Sequence, residues 1–262
     1  MTKVSPKCYS TSPLPFMGQK SRFVRCFKDA LKHFDSATVF VDLFGGSGLL
    51  SHVAKRERPD ARVIYNDYDN FRERIENAGR TNALLADLRD IIGSVPQEKR
   101  LDTSLRETVL ARVKEEDERG FVDYITLSSS LLFSMRYATN FDELRAITMY
   151  NNVRIATYNC DGYLDGLEIV KHDYKELHEQ YKDRKGAVFF VDPPYLSTEV
   201  GVYKCYWKLA DYLDVLRVLD GTSYILFTSN KSSLVELMAW ISERFHVTNP
   251  LMTRYEKKHE TM

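Results

Sequence analysis

The 262-residue chain predicts an α/β fold, a doubly wound and mostly parallel sheet interrupted by a mostly helical insertion. Three observations carry this expectation. Two short apolar runs, Val39-Phe40-Val41 and Val188-Phe189-Phe190-Val191, are rich in branched and aromatic residues, which suits strands buried on both faces, and each stops at an aspartate. Such runs alternate with stretches of helical periodicity before residue 80 and again after residue 160. Between about Arg80 and Cys160 the alternation breaks: Leu84, Leu85, Leu88, Ile91 and Ile92 recur at helical spacing, and Leu101 to Glu118 is charged and helix-prone.

In order along the chain, a helix is expected from about Lys20 to His33, then a strand before Asp42. A second helix starts at Gly48, and a second strand, Arg62-Val63-Ile64-Tyr65-Asn66, runs into Asp67. Beyond the insertion, strands are expected near 167–171, 187–191, 223–228 and 245–249 with helices between them. The polar run Glu256-Lys257-Lys258-His259-Glu260 reads as a hairpin tip with only Thr261 and Met262 after it, so a truncated or unpaired edge is expected there. Asp42, Asp67, Asp173 and Asp192 all fall at carboxyl ends of expected strands, where open sheets of this class bind ligands.

The most informative stretch is Asp192-Pro193-Pro194-Tyr195, directly after the strand 188–191. Two prolines supply no amide donor and no helical freedom, so the chain turns stiffly and exposes an acid and a ring. The corner suits an aromatic amine. The exocyclic amine of adenine is a weak nucleophile because its lone pair is delocalised, and fixed acceptors on both its N–H groups would localise that pair. Asp192 offers one acceptor and the Pro193 carbonyl a second, aimed in advance by the locked backbone. Tyr195 can stack on the base, a contact worth roughly 1–3 kcal/mol. The plainer reading is a proline-rich turn that ends a strand.

A second motif agrees with the first. Asp42-Leu43-Phe44-Gly45-Gly46-Ser47-Gly48 follows a strand and opens a helix, so the backbone can turn tightly and let a ligand approach. Ser51 stands where a dinucleotide fingerprint would place its last glycine, which disfavours a phosphate-bearing cofactor. Asp67, with Tyr68 beside it, lies about 20 residues beyond the glycine loop, where a ribose-binding carboxylate is expected; the alternative is a simple Asn-Asp turn.

Together these segments resemble the Dam-type DNA adenine-N6 methyltransferases of bacteria and phages, which use S-adenosylmethionine. The order of the motifs also resembles the class in which the cofactor half precedes the catalytic half, and the likeness covers most of the chain. It implies a Rossmann-like methyltransferase domain at 1–80 and 161–262, with residues 81–160 a helical target-recognition insertion. It assigns Asp192, Pro193, Pro194 and Tyr195 to catalysis. It assigns to the cofactor Phe16, Met17, Gly18 and Lys20, then Asp42, Phe44, Gly45, Gly46, Ser47 and Gly48, then Asp67 and Tyr68, and finally Asp173, Tyr174 and Asp192. Lys20 would reach the cofactor's carboxylate, Asp173 its adenine amine and Tyr174 its ring face, although a helix cap at Asp173 is a fair competitor.

For double-stranded DNA, the stretch Ser134 to Phe141 is the candidate contact, with Arg136 suited to guanine, Asn140 to adenine, and Tyr137 to wedging beside a displaced base. Dam-type members carry an Arg-x-Asn followed by a Gly- and Pro-containing loop near this place. Here the chain reads Arg136-Tyr137-Ala138-Thr139-Asn140 without that loop, so no target sequence carries over. Tyr203 and Lys204 follow the catalytic corner and could close over a flipped base, which must leave the stack before its amine is reachable. Tyr206 and Trp207 read equally well as helix packing.

Composition bounds the rest. Acids and bases balance at 37 each, which is unusual for a DNA-binding chain; a basic face with acids on the far side is compatible with that balance, but tight non-specific binding is not expected. The four cysteines are scattered and no histidine shares a ligand spacing with them, so neither structural zinc nor disulfides are expected. No run approaches a membrane span and no leader stands at the amino end, so a cytoplasmic protein is expected, in a bacterium or a phage-infected host. Methylation of cytosine N4 or of RNA, a catalytically silent cofactor-binding regulator, and, least favoured, a nicotinamide oxidoreductase remain the alternatives. The residues do not decide whether a restriction endonuclease is a partner.

Overall fold

The computed structural model describes residues 8–133, 136–194, 207–228 and 233–246. After a single 3-10 turn at Ser21–Phe23, the elements before the insertion are α1 (Val24–Leu31), β1 (Val39–Asp42), α2 (Leu49–Glu57) and β2 (Arg62–Asn66). Five helices then follow without a strand between them: α3 (Phe71–Glu76), α4 (Ala78–Ile92), α5 (Thr103–Glu118), α6 (Tyr124–Leu131) and α7 (Phe141–Ala146). The alternation resumes with β3 (Glu168–Val170), α8 (Tyr174–Tyr181), β4 (Ala187–Val191), α9 (Leu209–Leu219), β5 (Tyr224–Leu226) and α10 (Ser233–Phe245).

The five strands form one sheet in the order β3-β2-β1-β4-β5, and every pairing is parallel. From β1 the chain moves outward to β2 and β3, then crosses back to build β4 and β5 on the other side. The reversal falls between β1 and β4. Phe40 pairs with Val188 and Asp42 with Phe190, so the two strands end level with each other.

Burial explains why the central strands lack a polar face. Phe40 and Phe190 stack at 5.4 Å on one side of the sheet, and Phe27 of α1 meets Phe190 edge-on at 4.9 Å. Val53 of α2 and Val63 of β2 belong to the same core. On the opposite side Val39, Val41, Ile64, Phe189 and Val191 pack with Leu177 of α8 and Val215 and Leu219 of α9. Alternate residues of β1 and β4 thus enter two different cores, the period-2 arrangement of a doubly wound sheet.

A third core contains no strand. Leu84, Leu85, Leu88 and Ile92 of α4 pack with Val109, Leu110 and Val113 of α5, Leu127 and Leu131 of α6, and Leu144 of α7. Capping fixes where its helices begin: the Asp102, Asp123 and Asn140 side chains accept from the amides of Leu105, Thr126 and Glu143 at 2.9, 3.0 and 2.9 Å.

Of the strand expected near 245–249, Phe245 is the last residue of α10 and His246 lies in a turn. Residues 247–249 and the expected hairpin at 256–260 lie outside the described residues. Among the described residues, no helix is long and apolar enough to cross a membrane.

Candidate active site

The carboxyl ends of β1 and β4 bring the two principal motifs together. The glycine turn leaves β1 directly after Asp42, and Asp192 leaves β4 directly after Val191, so adjacent level strands present both loops on one edge of the sheet, at its topological switch point. The Leu43 amide still donates to the Phe190 carbonyl at 3.0 Å, carrying the pairing one step beyond β1.

Asp42 is wholly buried at the base of this edge. Its Oδ2 accepts from the Ser51 hydroxyl at 2.7 Å, while Oδ1 makes no well-formed hydrogen bond among the described residues. Burial pushes this carboxyl up to about 7; the Ser51 hydroxyl pulls it back, the charge of Asp192 adds to the rise, and the Phe44 and Ser51 amides moderate it. Ser51, conspicuous in the sequence only as a missing glycine, is thus the buried partner of the acid at the end of β1.

The turn itself has no room for side chains. A Cβ on Gly45 would stand 2.3 Å from the Tyr65 ring and 2.6 Å from the Asn66 carbonyl. Gly46 has φ of +49°, and a Cβ there would meet the Phe16 ring at 3.1 Å. The Tyr65 hydroxyl donates to the Gly46 carbonyl at 2.8 Å, and the Tyr163 hydroxyl to the Ser47 carbonyl at 3.0 Å. Two buried tyrosines therefore hold the turn open from below.

Asp67 follows β2 and is almost fully buried. It accepts from the Phe71 amide at 2.6 Å and the Arg72 amide at 3.0 Å, and from the Tyr65 hydroxyl at 3.1 Å. Its carboxylate thus anchors the start of α3, with acceptor capacity remaining because an ionised carboxylate has about four lone-pair sites. Asn66 is a staple: its Nδ2 donates to the Leu43 and His172 carbonyls at 2.9 and 3.0 Å, and its Oδ1 accepts from the His172 amide at 3.0 Å. The ends of β1, β2 and β3 are locked together by that one carboxamide. Tyr68, next to Asp67, is exposed.

Lys20 meets the proline corner. Its ammonium lies 2.6 Å from Asp192 Oδ2 and donates to the Gly18 carbonyl at 2.8 Å, with both charged side chains largely buried. The amino-terminal motif is thereby joined to the proline corner. Phe16 packs edge-on against Phe71 at 5.6 Å. Met17 is half-buried nearby in sequence, Pro193 is buried and Pro194 half-buried.

On the β3 side, Asp173 accepts from the Lys175 amide at 2.8 Å and so caps α8. Tyr174 lies 5.0 Å from Phe44, and Trp207 completes a three-ring cluster at 5.7 Å from Phe44 and 6.1 Å from Tyr174. Of the candidate DNA contacts, Arg136 is exposed, Tyr137 half-buried, and Asn140 caps α7. Tyr195, Tyr203 and Lys204 lie outside the described residues. Among the described residues no group of three or more His, Cys, Asp or Glu is placed to hold a metal ion.

A buried node supports the turn from behind. His52 Nε2 accepts from the Tyr9 amide at 3.0 Å, which leaves Nδ1–H to donate to the Tyr163 carbonyl at 2.7 Å. The ring stacks on Tyr163 at 4.9 Å, and burial holds its pKa below the ordinary histidine value, the Tyr163 carbonyl opposing that shift. The sequence gives no signal for this role, since a lone histidine on an apolar helix face has no partner spacing to read.

The family model for D12 class N6 adenine-specific DNA methyltransferase matches residues 16–223, a span that includes the amino-terminal motif, the glycine turn and the proline corner. The chain is also 35% identical over 250 residues to a protein of Haemophilus influenzae named "Putative methyltransferase", the match covering 92% of this chain and 83% of that protein. Strand order, motif placement and family match converge, and the chain belongs to the D12 class of N6 adenine-specific DNA methyltransferases.

Proposed function

We propose that this adenine-specific DNA methyltransferase takes its methyl group from S-adenosylmethionine and acts on an adenine that has left the duplex stack. The observation that carries this reading is the junction of β1 and β4, where the glycine turn and Asp192 leave neighbouring strands at the same level. One pocket can therefore serve both reactants.

The residues present suit such a cofactor. Gly45 and Gly46 let the backbone of the turn pack directly on Tyr65 and Phe16, so bare main chain stands at the sheet edge where a ligand can approach it, and among the described residues Asp42 Oδ1 is a buried acceptor without a well-formed bond. When bound, the cofactor supplies a methyl group already activated on a sulfonium. Asp67 would hold its ribose, with Tyr68 alongside. Phe16, Met17, Gly18, Phe44, Ser47 and Gly48 would line the cradle, and Asp173 and Tyr174 would meet the adenine of the cofactor.

Asp192 accepts one N–H of the target amine and the Pro193 carbonyl the other, which localises the nitrogen lone pair, while Tyr195 stacks on the base. Lys20 holds Asp192 in place through its 2.6 Å ion pair. Holding two reactants in line can supply about 7–11 kcal/mol of the barrier reduction, so orientation carries most of the rate. No residue of the chain becomes covalently attached. Residues 81–160 read the target, with Arg136, Tyr137 and Asn140 as the candidate contacts to DNA and Tyr203 and Lys204, outside the described residues, as further candidates for the displaced base.

Asp192→Ala tests this reading. Methyl incorporation into DNA should fall by at least about 100-fold, the scale at which removing one preorganised polar contact acts, while S-adenosylmethionine binding by calorimetry stays within a few-fold. Persisting incorporation would show that Asp192 does not hold the amine.

A further inference from the structure

Arg74 of α3 joins two segments far apart in sequence, Pro15 and the start of α6, at the edge of the proposed pocket, and its own side chain is only 12% exposed. Its Nε donates to Asp123 Oδ1 at 3.0 Å. One terminal nitrogen donates to the Pro15 carbonyl at 2.7 Å and approaches the Thr126 hydroxyl at 3.3 Å. The guanidinium carbon lies 5.0 Å above the Phe71 ring.

Each partner already has structural work. Pro15 opens the amino-terminal motif, and the next residue, Phe16, packs against Phe71 and against the space above Gly46. Phe71 begins α3, its amide held by Asp67. Asp123 is 1% exposed and caps α6, accepting from the Thr126 amide at 3.0 Å and the Thr126 hydroxyl at 2.6 Å. A buried arginine is tolerated only when paired, and breaking a buried pair from one side leaves an uncompensated charge. The planar fork also matters, because it sends one nitrogen to the helical region and another to the motif at a fixed angle, which the single ammonium of lysine cannot do.

We propose that Arg74 is a positioning residue that couples the two binding functions: through its fork, cofactor contact with the Pro15–Lys20 segment and DNA contact with the helical region, whose helix α6 starts at the Arg74 partner Asp123, favour each other. This rests on the assignment of the pocket to S-adenosylmethionine and of residues 81–160 to target recognition. Such a coupling is reciprocal, each ligand changing the affinity of the other by one common factor.

The test uses the full chain, S-adenosylhomocysteine as a non-reacting probe, and a duplex containing a sequence that the wild-type enzyme methylates. The dissociation constant of the probe is measured with and without duplex for the wild type, Arg74→Lys and Asp123→Asn, beside a thermal melt of each. The wild type should show a ratio of about 5-fold or more, within the usual range for coupled sites. Arg74→Lys, which keeps the charge but not the fork, and Asp123→Asn, which keeps the cap shape but not the charge, should each bring the ratio to about one while still melting cooperatively. A merely structural role would lower the melting temperature and leave the ratio unchanged, which overturns the inference, as does a wild-type ratio of one. Failure of the underlying reading looks different: S-adenosylhomocysteine would not bind the wild type at all, and the inference would fall with it.

Discussion

The edge of the sheet and the strandless helical core are built on opposite principles. At the edge, polar atoms hold polar atoms: Asn66 ties three strand ends together, Tyr65 and Tyr163 hold the glycine turn, and Lys20 meets Asp192. In the helical core, side chains such as Leu88, Val109 and Leu127 are fully buried among other apolar groups. Packed apolar groups stabilise wherever they are buried, whereas a buried charge destabilises unless it is paired. Asp42, buried with one oxygen lacking a well-formed bond among the described residues, shows the edge bearing the cost of a polar atom withdrawn from water. Real proteins break packing rules of this kind at functional sites, so the contrast points to the sheet edge as the place where the proposed chemistry is held.

The largest effect that sharpens this contrast is expected in the helical core. Leu127→Ala removes a fully buried side chain between helices, and such truncations destabilise by about 2–5 kcal/mol. Urea unfolding should show that loss while S-adenosylhomocysteine affinity, measured well below the midpoint, stays within about threefold. A variant of undiminished stability that no longer bound the probe would break the distinction.

The second test lies at the edge and depends on pH. Because the carboxyl of Asp42 is raised to about 7 in the fold, the neutral form is favoured there. Its contribution to stability is complete below the ordinary carboxylate range and is lost as pH rises toward 7. His52 acts in the opposite sense: its lowered pKa favours the neutral ring, so stability from this group is complete above the ordinary histidine value and is lost as pH falls below it. Asp42→Asn removes only the first dependence. The stability of this variant relative to wild type should therefore rise between pH 4.5 and 7.5, by at least about 1 kcal/mol, since each tenfold change in proton affinity is worth about 1.4 kcal/mol. Parallel urea midpoints at the two pH values check this, and a constant difference would mean that Asp42 is ionised across the whole range.

The same contrast explains how far the sequence could be read. The central strands were legible because burial on both faces leaves a continuous apolar run with no alternation to misjudge, as in Val188 to Val191. The glycine turn and proline corner were legible because Gly and Pro restrict the backbone, and backbone restriction is local. Partners of long side chains were not. Lys20 could be placed before a helix, but whether its ammonium met a ligand or Asp192 depends on β4 lying beside β1, some 170 residues later. Arg74 gave no signal at all, because an arginine among Arg72, Glu73 and Glu76 reads as a solvated helix face and its partners are separated from it by 59 and 49 positions.

Asn140 gives the smallest effect and the finest discrimination, since its type suits two roles: a carboxamide can pair with adenine, and it can cap a helix. The structure has its Oδ1 accepting from the Glu143 amide at 2.9 Å. Asn140→Ala should destabilise by about 1 kcal/mol through the cap alone. Asn140→Asp keeps the cap, because aspartate accepts at that position as well as asparagine does, but it cannot donate to a base. If the residue also reads DNA, the aspartate variant should melt like wild type yet bind the methylated sequence more weakly by about 1–3 kcal/mol, with relaxed preference at one base pair and no such change on unrelated duplex. If the side chain serves only α7, both affinity and preference should survive Asn140→Asp, and base reading would have to come from Arg136 and Tyr137, which the structure leaves exposed and half-buried.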